Sequence, residues 1–197
     1  MVKRIRAALK AIFTIPYIVQ NGIRIYNKSV HERRVFMDVT SFGINHDVLL
    51  RGIYVSRKDT VGNGVITSFD IRLKEPNREM VLDTSVMHTL EHLMAVFFRS
   101  HAEWADKTVY VGPMGCRTGM YALFKGDLEP KDILDIMIEC FRYITDFEGE
   151  VPAAKSYMCG NYLDHNLGIT KIEAAKFLNE VLLYMREENM VYPMQNY

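Results

Sequence analysis

The most constraining stretch of this chain runs from Val65 to Lys74. Val65, Thr67, Phe69, Ile71 and Leu73 alternate there with Ile66, Ser68, Asp70, Arg72 and Lys74. A period of two places one set of side chains on each face of a strand. Gly62-Asn63-Gly64 precedes the stretch and Pro76-Asn77 closes it; a Gly/Asn turn accepts the positive φ of a tight hairpin. Val48 to Val55, rich in Leu, Ile, Tyr and Val, reads as the strand before the turn. A sheet that starts this way has an apolar face that needs cover.

The following segments supply it. Asp83, Thr84 or Ser85 can cap a helix running to about Ala102, with Met87, Leu90, Met94 and Phe97 or Phe98 as its apolar stripe. Thr108 to Val111 and Met120 to Phe124 read as two short strands around a Gly-rich turn. Ile133 to Phe147 is an amphipathic helix, with Pro130 near its start and Gly149 after it. A last helix opens with a capping box, Thr170 and Glu173, and carries Ile172, Phe177, Leu178, Val181, Leu182 and Met185. Helices and strands are mixed without regular β-α-β alternation. The expected class is therefore α+β: a single domain, mainly antiparallel sheet, with helices packed on one face.

Composition excludes several classes. The chain has 197 residues, enough to bury a full core without disulfide staples. Its three cysteines read as reduced thiols of a cytoplasmic protein, free to bind metal or do chemistry, rather than as a disulfide framework. The formal net charge of zero argues against a dedicated nucleic-acid binder. That zero is a cancellation. Residues 1–36 hold eight bases (Lys3, Arg4, Arg6, Lys10, Arg24, Lys28, Arg33, Arg34) against one acid, Glu32. Taking these from 24 bases and 24 acids leaves 16 against 23 in residues 37–197. The run from Ile5 to Val19 is mostly apolar behind a basic start, but Lys10 interrupts it and Pro16 breaks it. It is too short and too interrupted to span a bilayer. The readings are a basic amphipathic segment resting on a membrane or partner, a loosely packed tail, or residues added by an upstream start, with Met37 as the natural beginning. No firm membrane association is expected.

The sharpest chemical signal is His88-Thr89-Leu90-Glu91-His92. On a helix, positions i and i+4 sit one above the other, so both imidazoles can bind one cation. Glu91 lies beside them, close enough to move protons at a metal-bound group. This His-x-x-Glu-His order reverses the commoner metalloprotease one. Arg99 falls seven residues on, on roughly the same helical face, as an anion or hydroxyl binder. A catalytic site needs a third protein ligand and an open position. Cys116, in Gly112-Pro113-Met114-Gly115-Cys116-Arg117-Thr118-Gly119, and Cys159, followed by Gly160, both sit in turn-like contexts. Two thiols thus compete for two roles, ligand and acid/base, and spacing does not assign them. Cys140, among Ile136, Met137, Phe141 and Ile144, reads as core.

From about Met37 to Met185 the chain resembles S-ribosylhomocysteine lyase, the LuxS family of bacterial autoinducer-2 synthesis and quorum sensing. The resemblance rests on Ser41-Phe42 followed by His46, Phe69-Asp70-Ile71-Arg72 with Pro76-Asn77, and His88-Thr89-Leu90-Glu91-His92-Leu93. It continues through Arg99-Ser100-His101-Ala102, Pro113-Met114-Gly115-Cys116 with Thr118-Gly119, Val151-Pro152-Ala153-Ala154, and Cys159-Gly160. The resemblance implies His88, His92 and Cys159 as metal ligands, Cys116 as the catalytic thiol and Glu91 as the second acid/base. It implies Ser41, His46, Arg72 and Arg99 around the substrate. It further implies a homodimer with active sites near the subunit interface, binding Fe(II), with Zn(II) or Co(II) as substitutes. Four positions depart from the family pattern. Tyr110 and Gly112 stand where an Asp and a Ser are usual, and Lys74 and Arg117 replace a Cys and a Gln.

The implied activity cleaves S-ribosylhomocysteine to homocysteine and 4,5-dihydroxy-2,3-pentanedione, by metal-assisted carbonyl migration and β-elimination. Two other readings fit the helix motif alone. One is a metal-dependent amide hydrolase of peptidase or deformylase type. The other is a non-catalytic metal-binding interaction domain. Cys116 has no task in the first, and Glu91 is idle in the second.

Overall fold

The computed structural model describes residues 43–194. The basic head lies outside the described residues, and Ser41 with it. In chain order the elements are β1 (Gly52–Val61), β2 (Gly64–Arg72), α1 (Thr84–Ser100), β3 (Thr108–Pro113), β4 (Gly119–Lys125), α2 (Leu134–Asp146) and α3 (Leu167–Glu180). Short 3-10 turns stand at Pro130–Ile133, Leu182–Tyr184 and Glu187–Asn189.

β1 and β2 form the hairpin that the Gly62-Asn63-Gly64 turn predicts, with Gly62 at φ +59°. Val61 pairs with Gly64 and Tyr54 with Asp70. β2 pairs antiparallel with β4, and β4 with β3, giving the order β1-β2-β4-β3. The architecture is the expected α+β one. Among the described residues, no helix is long and apolar enough to cross a membrane.

The odd-numbered face of β2 faces the core: Thr67, Phe69, Ile71 and Leu73 are buried. They join Met120, Ala122 and Phe124 of β4, Met87, Leu90, Met94 and Phe98 of α1, and Met137, Cys140, Phe141 and Ile144 of α2. Phe177 of α3 closes the layer against Phe141, ring centroids 4.9 Å apart. Each fully buried aromatic or aliphatic side chain contributes about 1.5–3 kcal/mol. This layer therefore holds α1, and its histidines, in place. Cys140 is core as expected, and burial pushes its thiol pKa up.

Three local expectations change. β1 starts at Gly52, not Val48, and runs on through the polar residues from Ser56 to Thr60, because its ladder with β2 continues past a bulge between Val55 and Arg57. Leu49 instead packs with Ile44 and Tyr54 in a second, small cluster. α3 begins at Leu167, and its cap is Asn166, whose side chain accepts from the Ile169 N–H at 3.1 Å. Thr170 lies inside the first turn, where its hydroxyl donates to the Asn166 carbonyl at 2.6 Å, and Glu173 pairs with Lys74 at 2.7 Å, so the expected capping box does not form. Third, the even-numbered face of β2 is not the open face of a half-buried strand: Asp70 and Arg72 are buried as well. Tyr192 covers them, stacked on Tyr54 at 4.7 Å and donating its hydroxyl to Asp70 Oδ2 at 2.8 Å.

Candidate metal centre

α1 carries His88, Glu91 and His92 through its second turn. The buried stripe formed by Met87, Leu90, Leu93, Met94 and Phe98 fixes its rotation about its axis. Both imidazoles are then oriented by backbone carbonyls. Nδ1 of His88 donates to the Asp164 carbonyl at 3.0 Å, and Nδ1 of His92 to the Pro152 carbonyl at 2.6 Å. An imidazole anchored through Nδ1–H presents a bare Nε2 lone pair, the usual arrangement for a metal ligand.

Those carbonyls come from the segment between α2 and α3. Ala153, at φ +58°, turns that segment back on itself. Cys159 lies on it, and its Sγ is 3.3 Å from Nε2 of His88. The backbone N–H of Asn161 also points at this sulfur, at 3.4 Å. One ligand atom each from His88, His92, Cys159 and His165 falls within 4.8 Å of the others. Imidazoles and a thiol in this arrangement fit a borderline divalent cation such as Zn(II) or Fe(II) better than a hard one such as Mg(II). His165 is absent from the sequence reading. Its only sequence signal is a third histidine six residues after Cys159. It stacks on His88, ring centroids 4.1 Å apart, and burial followed by the two neighbouring histidines lowers its pKa.

A cleft of about 450 Å³ opens beside this cluster, lined by His88 and Glu91 from α1 and by Met114, Gly115 and Arg117 from the β3–β4 connection. Arg117 takes φ +59°, a left-handed conformation that is uncommon for a side chain of its size. That kink marks where the connection turns at Cys116. The exposed Cys116 thiol meets Thr118 and Arg72: Sγ lies 3.0 Å from Thr118 Oγ1 and 3.8 Å from Arg72 Nη1. Arg72 Nη1 also donates to Thr118 Oγ1, which leaves the hydroxyl proton of Thr118 free to point at the sulfur. Burial alone would raise the thiol pKa. Hydrogen bonding from Thr118 and then the charge of Arg72 outweigh it, and the net direction is down. Thiolate character at Cys116 is thus built into the local fold.

Arg72 is held in turn by Asp70, through Nη2 and Oδ2. Oδ1 of Asp70 and Nε of Arg72 are buried without a partner. His46 donates through Nδ1 to the Ile44 carbonyl at 3.0 Å. Arg99 is exposed and is not among the residues lining the cleft; its Nη2 donates to the Val109 carbonyl on β3 at 3.1 Å. Tyr110 and Gly112, two of the departures named above, fit one another. A Cβ at Gly112 would lie 1.8 Å from the Tyr110 hydroxyl, so the ring takes up the space beside the glycine and would have to swing outward for any larger residue there.

The family profile described as S-ribosylhomocysteinase (LuxS) matches residues 39–188. This chain belongs to the LuxS family. Among its relatives, the S-ribosylhomocysteine lyase of Phocaeicola vulgatus is 57% identical over 155 residues, spanning 79% of this chain and 96% of the relative. The proteins of the same name from Clostridium beijerinckii and Porphyromonas gingivalis are 52% and 55% identical, each over 79% of this chain and 98% of the relative. The LuxS match takes in α1 with its two histidines, the Cys116 connection and the Cys159 segment.

Proposed function

We propose that this chain is an S-ribosylhomocysteine lyase, a carbon–sulfur lyase that releases homocysteine and 4,5-dihydroxy-2,3-pentanedione. The observation that carries the reading is one cleft lined by His88 and Glu91 and by the residues on both sides of a thiol whose pKa is lowered. Metal-assisted hydrolysis has no use for that second thiol.

In this reading His88, His92 and Cys159 hold a divalent ion, Fe(II) in the cell, with Zn(II) or Co(II) as substitutes. The ion supplies Lewis-acid stabilisation of the charge that develops on carbonyl and hydroxyl oxygens. The carbon that loses sulfur has no acidic neighbour at first, so the carbonyl must move from C1 to C2 to C3 before elimination. Cys116, as thiolate, takes the proton from C2 and returns it to C1, then takes the C3 proton and returns it to C2. Each transfer leaves the thiol as it began. Thr118 and Arg72 keep the sulfur charged between transfers. Glu91 moves the oxygen-bound protons that accompany each shift. It then takes the C4 proton while the C5–sulfur bond breaks, and homocysteine leaves as a thiolate that is protonated on release. Arg72, His46, Ser41 and Arg99 are assigned to substrate contacts. The position of the Arg72 guanidinium beside Cys116 and the exposed guanidinium of Arg99 support binding of charged or hydroxyl groups.

We assign the assembly as a homodimer with its sites near the interface, acting in the cytoplasm, the product serving autoinducer synthesis. The catalytic body is residues 37–197, and residues 1–36 are dispensable for turnover. The test uses Fe(II)-loaded protein and S-ribosylhomocysteine, with homocysteine read by a thiol reagent. Release by the native chain and by one starting at Met37, and its loss in Cys116→Ala, are the expected results. Hydrolysis of a model amide with no homocysteine release would refute the reading.

A further inference from the structure

Lys74 and Glu173 bury two opposite charges against one another. Lys74, just past β2, places Nζ 2.7 Å from Oε2 of Glu173 on α3, with side chains only 11% and 17% exposed. Lys176 reaches the other Glu173 oxygen at 3.9 Å. Lysine is almost never buried unless it is paired. A pair taken out of water gains little net stability, because desolvating both ions offsets their attraction. Two apolar side chains of similar volume serve a fold as well. What such a pair supplies is geometry: it is satisfied at one separation, whereas apolar surfaces slide.

What the two residues join gives that geometry a use. On the Lys74 side, the backbone N–H groups of Leu73 and Lys74 donate to the Thr118 carbonyl at 3.0 and 2.9 Å. Thr118 Oγ1 in turn faces the Cys116 sulfur at 3.0 Å. On the Glu173 side, α3 starts from its cap Asn166, whose N–H donates to Thr89 Oγ1 of α1 at 3.0 Å. Two residues before the cap, the Asp164 carbonyl accepts from Nδ1 of His88 at 3.0 Å. A chain of short contacts thus runs from Cys116 to His88, and the Lys74–Glu173 pair is the rung that crosses from the end of β2 to α3. The Leu82 N–H, donating to the Arg117 carbonyl at 2.9 Å, ties the Cys116 connection to the residues ahead of α1. The ion pair braces it from the side of α3.

We propose that Lys74 and Glu173 are positioning residues whose ion pair sets the place of the Cys116 sulfur relative to the metal-ligating turn of α1. This deepens the lyase reading and rests on it. Proton transfer by Cys116 and charge stabilisation by the ion act on adjoining atoms of one substrate. Sulfur and ion must therefore stand at a fixed separation, and a misplacement of about 1 Å can cost about a hundredfold in rate. Neither Lys74 nor Glu173 lines the cleft, so both act through other residues: Thr118 on one side, Asn166 and Asp164 on the other. Lys74 is also one of the four departures from the family pattern, standing where a Cys is usual, so the brace is specific to chains that carry it.

The test combines Lys74→Met with Glu173→Leu in one protein, which keeps bulk and leaves no unpaired charge behind. The double variant is expected to melt within a few degrees of the native chain and to hold stoichiometric Co(II). The pH dependence of Cys116 labelling by iodoacetamide is expected to stay native. Its kcat for homocysteine release is expected to fall about tenfold, with KM within about twofold of native. Native kcat in this variant would overturn the proposal. So would a loss of rate carried by KM, by metal content, by the labelling profile or by a much lower Tm. A fluorinated tag on Cys116 gives an arm that needs no turnover. Cys140 is buried and Cys159 is held by the ion in this reading, so the tag is confined to the exposed thiol. The difference in fluorine shift between Co(II)- and Zn(II)-loaded protein reports where the tag stands relative to the ion. One sharp displaced line is expected from native protein, and a broadened or differently displaced one from the double variant; identical lines overturn the proposal. Native protein that releases no homocysteine would refute the lyase reading separately, with the fluorine comparison still deciding whether the pair sets the separation.

Discussion

Thr118→Val isolates what sets the reactivity of Cys116. Valine matches the shape of threonine at this buried position but removes the hydroxyl that faces Sγ at 3.0 Å. Two groups compete for credit, Thr118 and Arg72. A full charge 3.8 Å away would dominate a single hydroxyl if it stood alone. It does not stand alone. Asp70 touches Arg72, so the sulfur sees a guanidinium–carboxylate pair whose field falls off faster than that of a lone cation. The hydroxyl therefore wins. A hydrogen bond to a charged group contributes about 1.5–3 kcal/mol, and the lower end applies where water reaches the acceptor. Each 1.4 kcal/mol, roughly, is tenfold in an equilibrium. The thiol pKa is lowered in the native fold, so the thiolate persists toward low pH; removing the hydroxyl moves the titration upward. On the acidic limb the thiolate fraction then falls about tenfold. The assay is the rate of iodoacetamide labelling of the Cys116 peptide across pH, read by mass spectrometry, with Thr118→Ser retaining the native rate. Buried Cys140 serves as an internal unreactive thiol. Labelling of Thr118→Val at the native rate would refute this ranking and return the credit to Arg72.

Three further predictions separate the roles. Cys159→Ala is expected to lose the metal while Cys116→Ala keeps it and loses turnover; metal analysis of the two proteins checks this, and the reverse pattern would exchange the thiols. Glu91→Gln is expected to retain the metal and stall the reaction, and near-native homocysteine release from it would remove Glu91 from the mechanism. Gly119→Ala would drive a Cβ to 2.2 Å from the Ile71 carbonyl, backbone against backbone. It should destabilise the fold by about 1–3 kcal/mol, several degrees in Tm for a chain of this length, and a melting curve matching the native one would show that β4 shifts without cost.

The strand at Val65 to Lys74, the helix at His88 and the amphipathic helix before Gly149 were legible because periodicity and punctuation are local signals. The helical spacing of His88 and His92 likewise fixes their shared face without tertiary information. Assigning Cys116 and Cys159 was not a local matter, because it depends on which loop returns to α1. The backbone turn at Ala153 and the carbonyls of Pro152 and Asp164 decide that, and carbonyls leave no trace in a sequence. The place of His165 against His88 is likewise not a local matter: the cap of α3 is Asn166, four residues before Thr170, and His165 immediately precedes it. The burial of Asp70 and Arg72 was hidden by distance, since Tyr192 lies 122 positions from Asp70.

That last contact ties two distant stretches of the chain to the buried ion pair. Tyr54, Ile44 and Leu49, with Tyr192 against them, form a cluster separate from the main core. Beside it, the Asn45 N–H donates to the Pro193 carbonyl at 2.7 Å and Ile44 pairs with Met194 in a β-bridge. The Tyr192 contact is thereby an outlying support of the thiol: wherever it opens, water reaches Asp70, Asp70 loosens its hold on Arg72, and the guanidinium field at Cys116 changes.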